Sequence, residues 1–166
     1  EHLEELDFGC KLACEFNFLR GLTNLKKLTL NLVCNGIGKP VFNEANNQLT
    51  HLDLKLSNTQ ISDKTIFNDL KCLTHLNLSR ATLDDNVLPD LFSELKQLDT
   101  LKLRRTKLLP VHNAFFYLEN LKELRFVGIE IPDECSNIFA PLKSLEKLVL
   151  GSTNTFNYEA LRQMKN

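Results

Sequence analysis

The sequence predicts an α/β solenoid, a curved horseshoe segment with a parallel β-sheet on its concave face and short helices, 3₁₀ turns and loops on its convex face. Three observations predict it. An apolar motif, Leu-x-x-Leu-x-Leu/Phe, recurs seven times, with first leucines at Leu3, Leu25, Leu49, Leu73, Leu98, Leu121 and Leu145. The steps between them are 22, 24, 24, 25, 23 and 24 residues, a period that marks stacked structural repeats. Within each motif the second and third apolar residues alternate with polar ones, as in Leu52-Asp53-Leu54 and Leu76-Asn77-Leu78, which is the period of a strand with one buried face.

The third observation concerns the return segment. Leu19, Phe67, Phe92, Phe115 and Phe139 stand six residues before a motif, each followed three residues later by Leu22, Leu70, Leu95, Leu118 or Leu142. Three-residue spacing suits a short helix or 3₁₀ turn that turns both side chains inward, so these residues read as a packing spine. The third unit departs from the pattern, with Asn43 at the expected position and Phe42 one place earlier. One unit cannot cover its own leucines, so each strand must pair with the next copy. Two places should interrupt the regularity: the turn-rich stretch Cys34-Asn35-Gly36-Ile37-Gly38-Lys39-Pro40, read as an irregular loop, and extra residues around Lys55-Leu56-Ser57-Asn58-Thr59.

This motif identifies the chain as similar to leucine-rich-repeat proteins, a single domain of about seven repeats truncated at both ends. The stretches Leu88-Pro89-Asp90-Leu91-Phe92-Ser93-Glu94-Leu95 and Leu109-Pro110 followed by Ala114-Phe115 resemble the repeats of extracellular animal receptors. The segment from Asn86 to Leu103 most resembles a Toll-like receptor ectodomain. That resemblance implies an ectodomain that senses a microbial molecule, pairs with a second receptor chain or co-receptor, and lies on the extracellular or endosomal side of a membrane. The asparagine usual after the strand of such repeats is replaced by Ala81, Thr106, Ile129 and Thr153. An intracellular leucine-rich-repeat adaptor or scaffold in the cytoplasm, such as a substrate-recruiting subunit of a ubiquitin ligase, therefore stays open beside the receptor.

Composition narrows the function classes. The 166 residues carry a formal net charge of −1, so any electrostatic specificity is local. No apolar run approaches a membrane span, and the start has no signal-peptide pattern, so no membrane insertion is expected within this segment. The five cysteines Cys10, Cys14, Cys34, Cys72 and Cys135 are odd in number, so at least one is free within the chain. Only Cys10 and Cys14 are close in sequence, and they lack the second ligand pair of a structural zinc site. No phosphate loop, nucleophile elbow or metalloprotease motif occurs, and Asp84 and Asp85 read as turn caps. Neither a catalytic residue nor a cofactor or metal is expected.

In-register stacking would turn equivalent positions into columns about 4.8 Å apart. The column between the first two motif leucines reads Glu5, Lys27, His51, His75, Thr100, Glu123, Lys147, and the next reads Asp7, Thr29, Asp53, Asn77, Lys102, Arg125, Val149. The face is thus acidic near its start and basic in its middle, where Arg80, Lys102, Arg104, Arg105 and Arg125 fall on three adjacent units. Forked guanidinium donors suit phosphate or carboxylate, so this group, with Lys55 and Asp53, is the candidate site for a protein partner or an anionic microbial ligand. Nucleic acid stays open, although no interleaved aromatics offer a base-stacking platform. His51 and His75 should be neighbours that make binding sensitive to pH. Asn77-Leu78-Ser79 is the single N-glycosylation triplet, and a glycan on Asn77 would stand on the concave strand.

Overall fold

The computed structural model describes residues 2–10, 16–33, 36–37, 41–83, 86–108, 113–129, 137–151, 159–162 and 164. Each of the seven motifs forms a strand: β1 (Glu5–Cys10), β2 (Lys27–Leu32), β4 (His51–Ile61), β5 (His75–Leu83), β6 (Thr100–Arg104), β8 (Glu123–Val127) and β9 (Lys147–Gly151). Two short strands, β3 (Gly36–Ile37) and β7 (Lys107–Leu108), sit beside β4 and β5, completing one parallel nine-stranded sheet with the path β1-β2-β4-β5-β6-β8-β9.

The register is that of the predicted columns. Leu28 faces Leu52, Leu52 faces Leu76, Leu76 faces Leu101, and Leu101 faces Leu124. A recurring hydrogen-bond device sets it. The Lys26 carbonyl accepts from the amides of both Thr50 and His51, at 2.9 and 3.0 Å. The carbonyls of Glu4, Thr50, Thr74, Asp99 and Lys122 each accept two successive amides of the next unit in the same way. The Thr50 and Thr74 hydroxyls add a third donor to two of these carbonyls, each at 3.1 Å.

The return segments explain the six-residue spacing of the spine. The amide of Leu70 donates to the Phe67 carbonyl and that of Leu73 to the Leu70 carbonyl, each at 3.0 Å. The same two linked three-residue turns recur from Leu19, Phe92, Phe115 and Phe139, so each spine residue stands two turns before a motif leucine. Phe67, Phe92, Phe115 and Phe139 are all buried. In the third unit Phe42 takes the spine place, its ring 6.4 Å from that of Phe67, while Asn43 caps the 3₁₀ turn Glu44–Asn46 through its side chain. Asn46 fills the leucine position of that turn. It is 1% exposed, and its Nδ2 donates to the Leu19 carbonyl at 2.9 Å, so a polar group in the core has a partner.

Three of the positions where such repeats usually carry asparagine, Ala81 within β5, Thr106 and Ile129, are buried as well. Ala81 and Ile129 are apolar there, and the Thr106 hydroxyl donates to the Leu78 carbonyl at 3.1 Å. The extra residues of the third unit form a bulge, because Lys55 to Thr59 on β4 spans the interval that Ser79 to Ala81 spans on β5. Beyond that bulge Gln60 and Ile61 pair with Gly36 and Ile37. Part of the stretch read as an irregular loop is therefore a strand, while its remaining residues, along with Cys14, Asp84, Asp85, Leu109, Pro110, Cys135 and Thr153, lie outside the described residues.

Leu76, 1% exposed in the middle of the stack, is expected to cost about 2–5 kcal/mol on replacement by Ala. Asn46→Ala, which removes one of the two donors to the Leu19 carbonyl and leaves it the Leu22 amide, is expected to cost about 0.5–1.5 kcal/mol. Urea denaturation measures both; an unchanged midpoint for Leu76→Ala would place that side chain outside the core.

Candidate functional site

The open face of the sheet carries the predicted columns, but the structure groups the predicted residues differently from their order in the chain. A groove of about 640 Å³ runs across the C-terminal ends of the strands from β1 to β6. Lys55, Arg80, Arg104 and Arg105 line it, together with Asn77, Ser57, Ser79 and Asn31. A smaller recess of about 230 Å³ nearer the strand starts is lined by His51, His75, Asp53 and Lys102, and it shares Asn77 with the groove. Arg125 lines neither. It is tied by an ion pair to Glu123, two residues before it. The sequence places five cations together; the structure divides them into three in the groove, one in the recess and one neutralised, with Lys55 added to the groove.

The acidic start is neutralised too. Glu4 pairs with Lys26 at 2.8 Å and Glu5 with Lys27 at 2.6 Å, each across one strand interval. Such exposed pairs contribute little to stability, but they offset the charges of Glu4 and Glu5, while Asp7 accepts from the neutral Asn31 Nδ2 at 3.2 Å. Among the described residues no carboxylate lines the groove. Asp53 Oδ2 stands 3.8 Å from Lys55 Nζ, and its other oxygen, Oδ1, is buried with no hydrogen-bond partner. Among the described residues, Arg80, Arg104, Arg105 and Lys102 make no ion pair.

Arg80 and Arg105 occupy equivalent positions one residue beyond Ser79 and Arg104, which face each other in register. Both have left-handed backbones, with φ of 59° and 50°, and the next equivalent position is Gly128 at 67°. That conformation is natural for glycine and costs a side-chain-bearing residue roughly 1–2 kcal/mol. The ladder holds it in place. The amide of Arg105 donates to the Val127 carbonyl at 2.7 Å, and that of Gly128 to the Gly151 carbonyl at 2.7 Å. Gly128, which lies outside the predicted columns, is the sequence signal for this turn.

In the recess the rings of His51 and His75 stack 4.1 Å apart and 9° from parallel. Thr50 and Thr74 hydroxyls stand 2.9 Å from the respective Nδ1 atoms. Each hydroxyl spends its proton on a backbone carbonyl, so Nδ1–H is the donor in the neutral ring, which leaves Nε2 as a free acceptor. Burial, then the facing His75, with Lys27 and Lys102 adding to them, push the His51 pKa below its ordinary value, against the opposing pull of Glu5. Among the described residues no group of three or more His, Cys, Asp or Glu is placed to hold a metal ion. Asn77, half-buried on β5, accepts from the Ser79 hydroxyl at 3.4 Å, so a glycan there would enter both cavities. Cys10 is disulfide-bonded, and Cys72 is a half-buried free thiol. No helix among the described residues is long and apolar enough to cross a membrane.

No protein family and no curated protein matches the chain in sequence. Solved structures do match in fold. An internalin of Listeria monocytogenes superposes over 97% of this chain with a TM-score of 0.55 at 18% sequence identity. The fold is a leucine-rich-repeat solenoid. This leucine-rich-repeat chain spans 51% of that internalin's length, and at such low identity the likeness extends to the fold alone.

Two outcomes test the site geometry. Arg105→Gly is expected to leave stability unchanged or raise it by up to about 1 kcal/mol, whereas Gly128→Ala is expected to destabilise, since a Cβ there would meet Arg105 Cγ at 3.2 Å; thermal melts that rank the two in the opposite order would contradict the left-handed assignment. The second outcome concerns pH. Unfolded His51 takes up its proton near pH 6.5, and the folded ring does so only at lower pH. Its contribution to stability is therefore complete above about pH 6.5 and is lost as pH falls from there through the folded value. A His75→Gln variant is expected to flatten the stability profile below about pH 6.5; an unaltered slope would mean that the facing ring does not act on His51.

Proposed function

We propose that this chain is a recognition module that holds a partner on the open face of its sheet, as part of an extracellular receptor ectodomain of the Toll-like kind. The groove carries the reading. Three guanidinium groups without ion-pair partners among the described residues gather where the sheet would otherwise present only solvated polar side chains, and one stretch of side chains from five strands converges on them. The leucine-rich-repeat fold supports recognition over catalysis, since the repeats present a rigid array of outward side chains. A disulfide at Cys10 supports an oxidising compartment, and the repeats around Phe92 and Phe115 carry the Toll-like resemblance. In this reading the ligand is of microbial origin, and the chain acts with a second receptor subunit.

Cys72 and Asn77 favour a second reading. A free thiol suits a reducing compartment, and a glycan on Asn77 would obstruct the groove, so an intracellular adaptor or scaffold explains both. Thiol accessibility separates the two. For a chain secreted by cultured animal cells, the receptor reading expects Cys10 to resist alkylation in denaturant until reductant is added, while Cys72 reacts at once. A chain that is retained in the cell, folds in the cytosol and has Cys10 freely reactive there would overturn it in favour of the adaptor. Recognition itself is tested by photo-crosslinkers. A probe at Lys102 on the open face is expected to capture a discrete partner on the cell surface or in cytosol, and a probe at Glu94 on the return segment is not; equal labelling from both would contradict recognition on the open face.

A further inference from the structure

We infer that the groove at the strand ends is a binding site for a compact polyanion, a small molecule bearing several phosphate or sulfate esters, clamped by Arg80, Arg104 and Arg105 with Lys55 opposite. This rests on the recognition reading above and names the ligand chemistry of the same face. The first support is charge without compensation. Arg104 ends β6, Arg105 follows it, and Arg80 lies within β5 one residue beyond Ser79, the in-register neighbour of Arg104, so three guanidinium groups issue from two adjacent strands. Most other cations of the sheet have carboxylate partners among the described residues, namely Lys26, Lys27, Lys55, Lys122, Lys147 and Arg125, while Lys102 in the recess has none. Like charges held together repel unless an anion joins them.

The second support is conformational. Arg80 and Arg105 hold left-handed backbones where glycine, found at the next equivalent position, would be more stable. Strain of this sort at a ligand clamp is kept for what the side chain does. The ladder bond from the Arg105 amide to Val127 fixes the base of the side chain before any ligand arrives, which lowers the ordering cost of binding. The third support is size and lining. About 640 Å³ is the scale of a small-molecule site, and Ser57, Ser79, Asn31 and Asn77 supply neutral hydrogen-bonding groups around the cations. Forked donors in several copies match esters with several acceptor oxygens better than a single carboxylate.

Isothermal titration of the whole chain tests this with defined probes: inositol hexakisphosphate for phosphate esters, sucrose octasulfate for sulfate esters, inorganic phosphate as the single anion, and a single-stranded oligonucleotide as an extended polyanion. One-to-one binding of either compact ester, much tighter than inorganic phosphate and weakened by salt, is the expected result, and the ester that binds names the source chemistry. The Arg80→Gly, Arg105→Gly double variant is expected to lose affinity for that ester by about tenfold or more while its melting temperature holds or rises. No binding of either ester, binding of the oligonucleotide alone, or equal affinity in the melting-competent variant would overturn the inference. The recognition reading stands or falls separately, on the crosslinking from Lys102, so loss of one is distinguishable from loss of the other.

Discussion

A single carbonyl accepting two consecutive amides from the next unit is the constraint on which the rest of this molecule depends. It recurs at Glu4, Lys26, Thr50, Thr74, Asp99 and Lys122, always just before the strand starts. Two donors on one acceptor fix both the height and the phase of each incoming strand. A slip by one residue would turn every leucine to the open face and every charged residue into the core. With the phase fixed, Leu28, Leu52, Leu76, Leu101 and Leu124 stack as one seam, and the phenylalanine spine closes the other side of the core.

That regularity also explains where function can reside. Along the strands the open face is largely self-compensated, with acid and base paired across one interval, as in Glu5 with Lys27 and Glu123 with Lys147. After Ser79 and Arg104 the backbone leaves its extended geometry through a left-handed residue, inside β5 at Arg80 and just past β6 at Arg105, and these two side chains have no ion-pair partner among the described residues. The Arg80 and Arg105 side chains leave from these residues, and the Arg105 backbone stays anchored to the ladder by its amide's bond to the Val127 carbonyl. The bulge in β4 brings Ser57 and Lys55 to the same rim. An array otherwise built for sameness thus acquires one place with distinctive chemistry.

The columns were legible because period-two alternation and a nearly constant repeat length survive any detail of side-chain conformation. His51 beside His75 and Lys102 beside Arg125 follow directly from them. What the columns could not carry is which neighbours engage each other. Arg125 reads as a member of the basic group, but its own strand supplies Glu123 on the same face two residues earlier. Phe42 and Asn43 show the same limit in the core: a one-residue offset is absorbed because Asn43 becomes a cap and Phe42 swings into the spine. The groove itself depends on backbone dihedrals at two arginines, for which a glycine one repeat later was the only trace in the chain.

Pulsed electron–electron distance measurement between spin labels at Asp7 and Arg125 tests in-register stacking most directly, because those residues lie five strand intervals apart in one column. A single narrow distribution centred near about 24 Å, five spacings of roughly 4.8 Å, is the result expected. A broad distribution, or a well-defined distance far from that value, would contradict the shared phase of the repeats and with it the groove built on their ends.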